Sequence, residues 1–201
     1  HHIFNFSHRG EVRMPFKISE FRGKALNNAG ARANLFEVVM TAPAIATELN
    51  ADSGKEFSFA CKAAAIPAMA VGVVEVPYFG RVVKVPGNKT FDNWSVTIIN
   101  DEEFHLRTGF EKWVAAMGTH EGNVATVGNT FGATGGGNLF GKAVVQQYSK
   151  GGGKIANAEY TFVNIFPVSI AEITLEWGDN DTIEEFAVEF AYDYWTSAAV
   201  T

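Results

Sequence analysis

A chain of 201 residues, 47% of them hydrophobic, is long enough for one domain with a sizeable core. A net charge of −6 argues against an outer surface made for nucleic acid. The absence of any apolar run near ~20 residues argues against membrane insertion through a helix. The single cysteine, Cys61, excludes an internal disulfide and, set in an apolar run, reads as a small core residue.

In chain order, HHIFNFSHRGEVR (1–13) looks foreign to the rest of the chain and reads as a tag or leader remnant, so His1 and His2 are not metal-site candidates. Residues 14–33 are polar, Gly-punctuated and basic, and predict an extended N-terminal arm. The remainder, 34–201, reads as a single domain. Leu35 to Met40 predicts a buried first strand with one charged position, Glu37. Residues 41–56 are turn-rich and predict a loop with at most a short helical turn. Phe57 to Lys62 resumes as strand, followed by small apolar residues around Pro67.

The stretch 71–104 is the most regular. Val82, Val83 and Val85 mark a strand, and Pro77 and Gly80 bracket a corner before it. Pro86-Gly87-Asn88 predicts a second corner, since Gly and Asn tolerate positive φ. Trp94, Val96 and Ile98 then alternate with Asn93, Ser95 and Thr97, the period of two of a half-buried strand. Two close corners predict an antiparallel meander. Asn100 or Asp101 is placed to cap a helix, with Glu102 and Glu103 in its first turn. Leu106, Phe110, Trp113, Val114 and Met117 form its apolar stripe, and Gly118 its end.

Residues 118–141 make a long Gly-, Asn- and Thr-rich loop. Within it Gly136 to Lys142 matches the opening of a phosphate-binding loop, G-x-x-x-x-G-K. The next residue is Ala143, without the hydroxyl that holds Mg²⁺, and AVVQQYSK is strand-like, so no helix N-terminus meets a phosphate. Strands over 143–149 and 155–165 form a hairpin around Ser149–Gly153. After a turn at 178–181, Phe186, Val188, Phe190, Tyr192 and Tyr194 share one face of the last strand. Ala187, Glu189, Ala191 and Asp193 share the other.

Catalytic chemistry finds no constellation. His105 lies off the apolar stripe and reads as a surface residue, His120 falls in the loop, and neither has metal-ligand spacing. The pairs Glu102–Glu103 and Glu184–Glu185 read as a cap and a solvated turn. The expectation is a non-enzyme with no cofactor and no metal. Many strands and one convincing helix make the chain mainly β.

Several long stretches, EVPYFGR (75–81), TFDNWSVTIINDEEF (90–104), FVNIFPVSI (162–170) with LEW (175–177), and NDTIEEFAVEFAYDYW (180–195), resemble the tail tube proteins of contractile-tailed, T-even-like phages. The resemblance covers about 34–117 and 142–195; the Gly-rich 118–141 departs from it. It implies an antiparallel β-sandwich or barrel with one flanking α-helix, and six-membered rings stacked into a hollow inner tube, related to the inner tubes of contractile injection machines. It also implies sheath and baseplate proteins as partners, a place in the virion after assembly in the host cytoplasm, and DNA ejected through the lumen without specific binding.

In such a tube the predicted core is Trp94, Val96, Ile98, Phe110, Trp113, Phe186, Val188 and Phe190. Candidate lumen-wall residues are Ser95, Thr97, Glu189 and Asp193, whose small polar and acidic side chains would repel phosphate. Candidate subunit or ring contacts are Arg22, Lys24, Glu48 and Asp52 in the arm and first loop, and Tyr78, Phe79 and Arg81 at the first corner. Two other readings stand beside it: the tube of a phage-derived extracellular injection particle, and a monomeric β-sandwich module gripping sugar or peptide with Tyr78 and Phe79.

Overall fold

A computed structural model describes residues 30–46, 49, 60–118, 139–178 and 182–200. Most of the readings for 1–33, 41–56 and 118–141 therefore lie outside the described residues. The described elements are β1 (Phe36–Thr41), β2 (Cys61–Ala64), β3 (Ala70–Tyr78), β4 (Arg81–Thr90), β5 (Trp94–Ile99), α1 (His105–Met117), β6 (Gly141–Tyr148), β7 (Lys154–Ile170), β8 (Glu185–Ala191) and β9 (Tyr194–Ser197). The structure is mostly antiparallel β with the helix α1 on its flank.

Seven strands form one sheet, six of them along the path β1-β6-β7-β8-β5-β2, with β9 added on β7. The 17-residue β7 belongs to both halves of this path. Its first part pairs with β6 and β9, and Phe166 to Ile170 pair with β8. Folding the path over at β7 brings the two inner faces together. Trp94 of β5 stacks on Phe162 of β7 with centroids 4.4 Å apart.

Val38, Met40, Ala143, Val145, Phe162 and Ile165 from one half meet Trp94, Val96, Ile98, Phe186, Val188 and Phe190 from the other in one buried cluster. Each such side chain contributes ~1.5–3 kcal/mol by leaving water. Helix α1 closes the cluster with Leu106, Phe110 and Trp113, all at most 1% exposed. The Trp113 indole N–H donates to the Leu139 carbonyl at 2.8 Å, so its polar edge is satisfied inside the core.

Four local expectations are corrected. First, Pro86-Gly87-Asn88 is not a corner. Strand β4 runs through it to Thr90, and Val73 pairs with Pro86. A bulge between Val71 and Val73 brings Gly72 against Gly87, where a Cβ on Gly87 would lie 3.1 Å from the Gly72 carbonyl oxygen. The glycine serves close backbone approach rather than a turn. Second, there is no three-stranded meander: β3 and β4 form a separate two-stranded sheet, and β5 pairs with β2 and β8.

Third, Glu102 and Glu103 precede α1 and do not occupy its first turn. Phe104 takes the cap position with φ 57 and no side-chain cap bond. Asp101 caps from further back, its carboxylate accepting from the backbone N–H of His105 at 2.9 Å and of Leu106 at 3.3 Å. Fourth, the last strand is broken. Alternation holds through Phe190, the chain bends at Tyr192-Asp193, and Tyr194 resumes on β7 with 46% of its surface exposed. Lys142 lies at the start of strand β6, so no helix follows the G-x-x-x-x-G-K match.

Candidate assembly surfaces

The β3–β4 hairpin stands apart from the rest of the molecule. Its tip is a two-residue turn in which Tyr78 faces Arg81. Phe79 and Gly80 both take positive φ, 42 and 76, the geometry that matches the twist of a tight hairpin. Glycine adopts it freely, whereas phenylalanine pays strain of order ~1 kcal/mol. At this projecting tip the Phe79 ring is 91% exposed, edge-on to Tyr78 with centroids 4.7 Å apart.

Neither hairpin face is covered among the described residues. Val73 (61%) and Val74 (52%) are adjacent, point to opposite faces, and are both exposed. Val76, Val82, Val83 and Val85 are exposed as well. An isolated two-stranded sheet is marginal in water, and valine exposed on both faces makes the hairpin a candidate contact surface. Its charge is mainly basic. Lys84 approaches Glu75 at 3.8 Å, and Arg81 and Lys89 form no ion pair among the described residues.

A second surface covers the outer face of β5 and β8. Ser95 faces Glu189 and Thr97 faces Ala187 across the ladder, while Ser169 of β7 adjoins Glu189 from the other side. The Asn93 amide donates to Glu189 at 2.8 Å. Three of the four candidate lumen residues thus share one small polar patch. Asp193 is separate. It is exposed at the bend between β8 and β9, accepting from the Asn164 amide at 2.6 Å. The alternation puts Asn93 on this face beside Ser95 and Thr97, while Ser169 escapes sequence reading because its neighbour in space, Glu189, is remote in the chain.

A third surface is a cleft of about 720 Å³ between residues 172–177 and 182–185, with Lys62 on its wall. Trp177 is fully exposed, Leu175 78% and Ile183 66%. Glu172, Glu176, Glu184 and Glu185 make the cleft acidic. Lys62 pairs with Glu185 at 2.5 Å and the Asn100 amide with Glu184 at 3.0 Å. Glu172 and Glu176 have no ion-pair partner among the described residues. Sequence reading takes 178–181 and Glu184–Glu185 for turns and does not join them with 172–177 into one surface.

Of the predicted contacts, Tyr78, Phe79 and Arg81 fall together at the hairpin tip, while Arg22, Lys24, Glu48 and Asp52 lie outside the described residues. All eight predicted core residues are at most 2% exposed. His105 is a surface residue, its Nδ1 3.5 Å from Asp101 and 3.3 Å from Glu103. Among the described residues no three His, Cys, Asp or Glu side chains come together as metal ligands, and no helix is long and apolar enough to cross a membrane. Burial pushes the Cys61 thiol up to about 12, which leaves it a neutral core group.

A β-sandwich with a flanking helix, a projecting apolar hairpin and an acidic cleft is a building block rather than a reaction centre. Comparison with known proteins gives the same class. Residues 31–198 match the family model described as phage tail tube protein. The chain is 33% identical over 165 residues to tail tube protein gp19 of Enterobacteria phage T4, covering 82% of this chain and 90% of that protein. The phage T6 protein of the same name matches to the same extent.

Among solved structures, a chain of the anti-feeding prophage baseplate superposes with a TM-score of 0.57 at 10% identity, covering 84% of this chain and 95% of that one. A chain of an extracellular contractile injection system sheath–tube complex superposes at 0.54 with 12% identity, covering 91% and 98%. The chain therefore belongs to the phage tail tube protein family. That family is structural, not enzymatic.

Proposed function

We propose that this protein builds the hollow inner tube of a contractile phage tail. Six copies close a ring, rings stack, and the genome leaves through the lumen without specific binding. The sheath surrounds the tube and the baseplate starts it; subunits assemble in the host cytoplasm and end in the virion tail. The observation that carries this reading is the β3–β4 hairpin, whose valines are uncovered on both faces in the single chain. A neighbouring copy would cover them. Identical subunits meeting head to tail give rings when the rotation closes. Ser95, Thr97 and Glu189 supply a polar patch on an outer sheet face, a fitting wall for passing phosphates. Asp193, at the bend, fits the wall less directly.

Negative-stain electron microscopy with mass photometry tests the proposal. Six-membered rings or hollow tubes are the expected result. A monodisperse monomer at every concentration, even with phage baseplates added as nucleators, would overturn it in favour of a monomeric binding module. The 33% identity to phage gp19 supports the phage-tail reading over an extracellular injection particle.

A further inference from the structure

Resting on the tube reading, we infer that the hairpin tip of one copy seats in the acidic cleft of the next copy along the stack. The two surfaces lie at opposite ends of the same sheet half. The hairpin is rooted where β2 ends at Ala64 and β5 begins at Trp94; Ala64 pairs with Val96. The cleft lies where β5 ends, with Ile99 opposite Glu185 and the Asn100 backbone N–H donating to the Glu184 carbonyl. The six residues of β5 separate them by about 20 Å. A contact joining opposite ends of identical chains is heterologous, and it propagates.

The chemistry of the two ends matches. The hairpin carries Arg81, Lys84 and Lys89 against one acid, Glu75. The cleft carries four glutamates against Lys62. The charges left over after intrachain pairing are of opposite sign: Arg81 at the tip, Glu172 and Glu176 in the cleft, while Lys89 pairs with Val71 at the root of the hairpin. Each end also offers exposed apolar bulk, Tyr78 and Phe79 at the tip, Leu175 and Trp177 in the cleft. Aromatic and arginine anchors at the centre of a contact, ringed by complementary charge, are what a selective interface needs.

The test uses two full-length variants, Arg81→Glu, and Glu172→Lys with Glu176→Lys, each checked for folding by circular dichroism. Each alone places like charges together and is expected to raise the critical concentration for tube growth about 10-fold or more. An equimolar mixture alternates reversed and native faces and is expected to polymerise again. Oxidation of a Tyr78→Cys chain mixed with a Leu175→Cys chain is expected to give a cross-linked dimer, native Cys61 being buried. Folded variants that polymerise like wild type, a mixture that stays unassembled, or no cross-link would overturn this pairing while leaving the tube reading intact. Wild-type protein that never polymerises would remove both.

Discussion

The side-chain amide of Asn164 donates to the carboxylate of Asp193 at 2.6 Å, where both strands of one ladder bend. Asn164 takes φ 55 in the middle of β7, and the Asp193 backbone N–H donates to the Val163 carbonyl at 3.2 Å. The two residues form a hinge pin: before it β7 pairs with β9, after it with β8. Asparagine is the side chain, after glycine, that best tolerates this backbone. Asn164→Val is expected to cost ~1–3 kcal/mol, and Asn164→Gly less, because glycine loses the amide but keeps the conformation. Urea unfolding midpoints of the two variants check the order; equal midpoints would refute the strain argument.

Trp94 is 2% exposed, stacked on Phe162 and tilted against Phe190. Its indole N–H donates to the Ala65 carbonyl at 2.7 Å. Trp94→Ala should destabilise by ~3–5 kcal/mol, through lost burial and an unfilled cavity. Chemical denaturation measures it, and a loss near zero would show that the two halves do not meet at this residue.

A Cβ on Gly141 would lie 2.7 Å from the Trp113 ring and 2.8 Å from the Thr41 carbonyl oxygen. One partner is backbone and the other a buried ring, so neither yields easily. Gly141→Ala is expected to cost ~1–3 kcal/mol from overpacking. Thermal unfolding should show a clear fall in midpoint, and an unchanged midpoint would mean the helix slides to accommodate the methyl.

Asp101→Ala removes the carboxylate that caps α1 at the His105 and Leu106 N–H groups. The expected loss is ~1 kcal/mol. Asp101→Asn should recover most of it, since the amide oxygen still accepts. Denaturation of both variants distinguishes capping from charge.

The Cys61 thiol, pushed up to about 12 by burial, gives a pH signature. Its folded pKa lies above its unfolded one. The stabilisation is complete below the unfolded value and is lost as pH rises through about 9 toward 12. Within that window stability should fall by up to ~1.4 kcal/mol per pH unit from this group. Cys61→Ala should flatten that slope. Iodoacetamide at pH 8 should label the chain only after unfolding, and rapid labelling of folded protein would contradict the burial.

Sequence reading was strongest where one face is buried and the other wet. Trp94–Ile98 and Phe186–Phe190 show clean alternation because water and core impose it, and the α1 stripe appears for the same reason. It failed where the deciding neighbour is remote in the chain. Pro86-Gly87 looks like a corner, yet Gly87 answers to Gly72 across the ladder. The apolar pattern continues unbroken from Phe190 to Tyr194, so nothing local marks the bend at Asp193. The assembly surfaces were half legible. Tyr78, Phe79 and Arg81 stood out at a corner, while the acidic cleft depends on strand ends that meet only after folding.

The sharing of β7 between both halves of the sandwich has a mechanical consequence. Two layers held only by side-chain packing shear when pulled lengthwise. Here a single covalent backbone of 17 residues runs through both. Tension applied to one layer reaches the other through peptide bonds and a zipped ladder of hydrogen bonds. A filament of such units would transmit a sudden axial stroke as a stiff rod, with its compliance concentrated at the joints between copies.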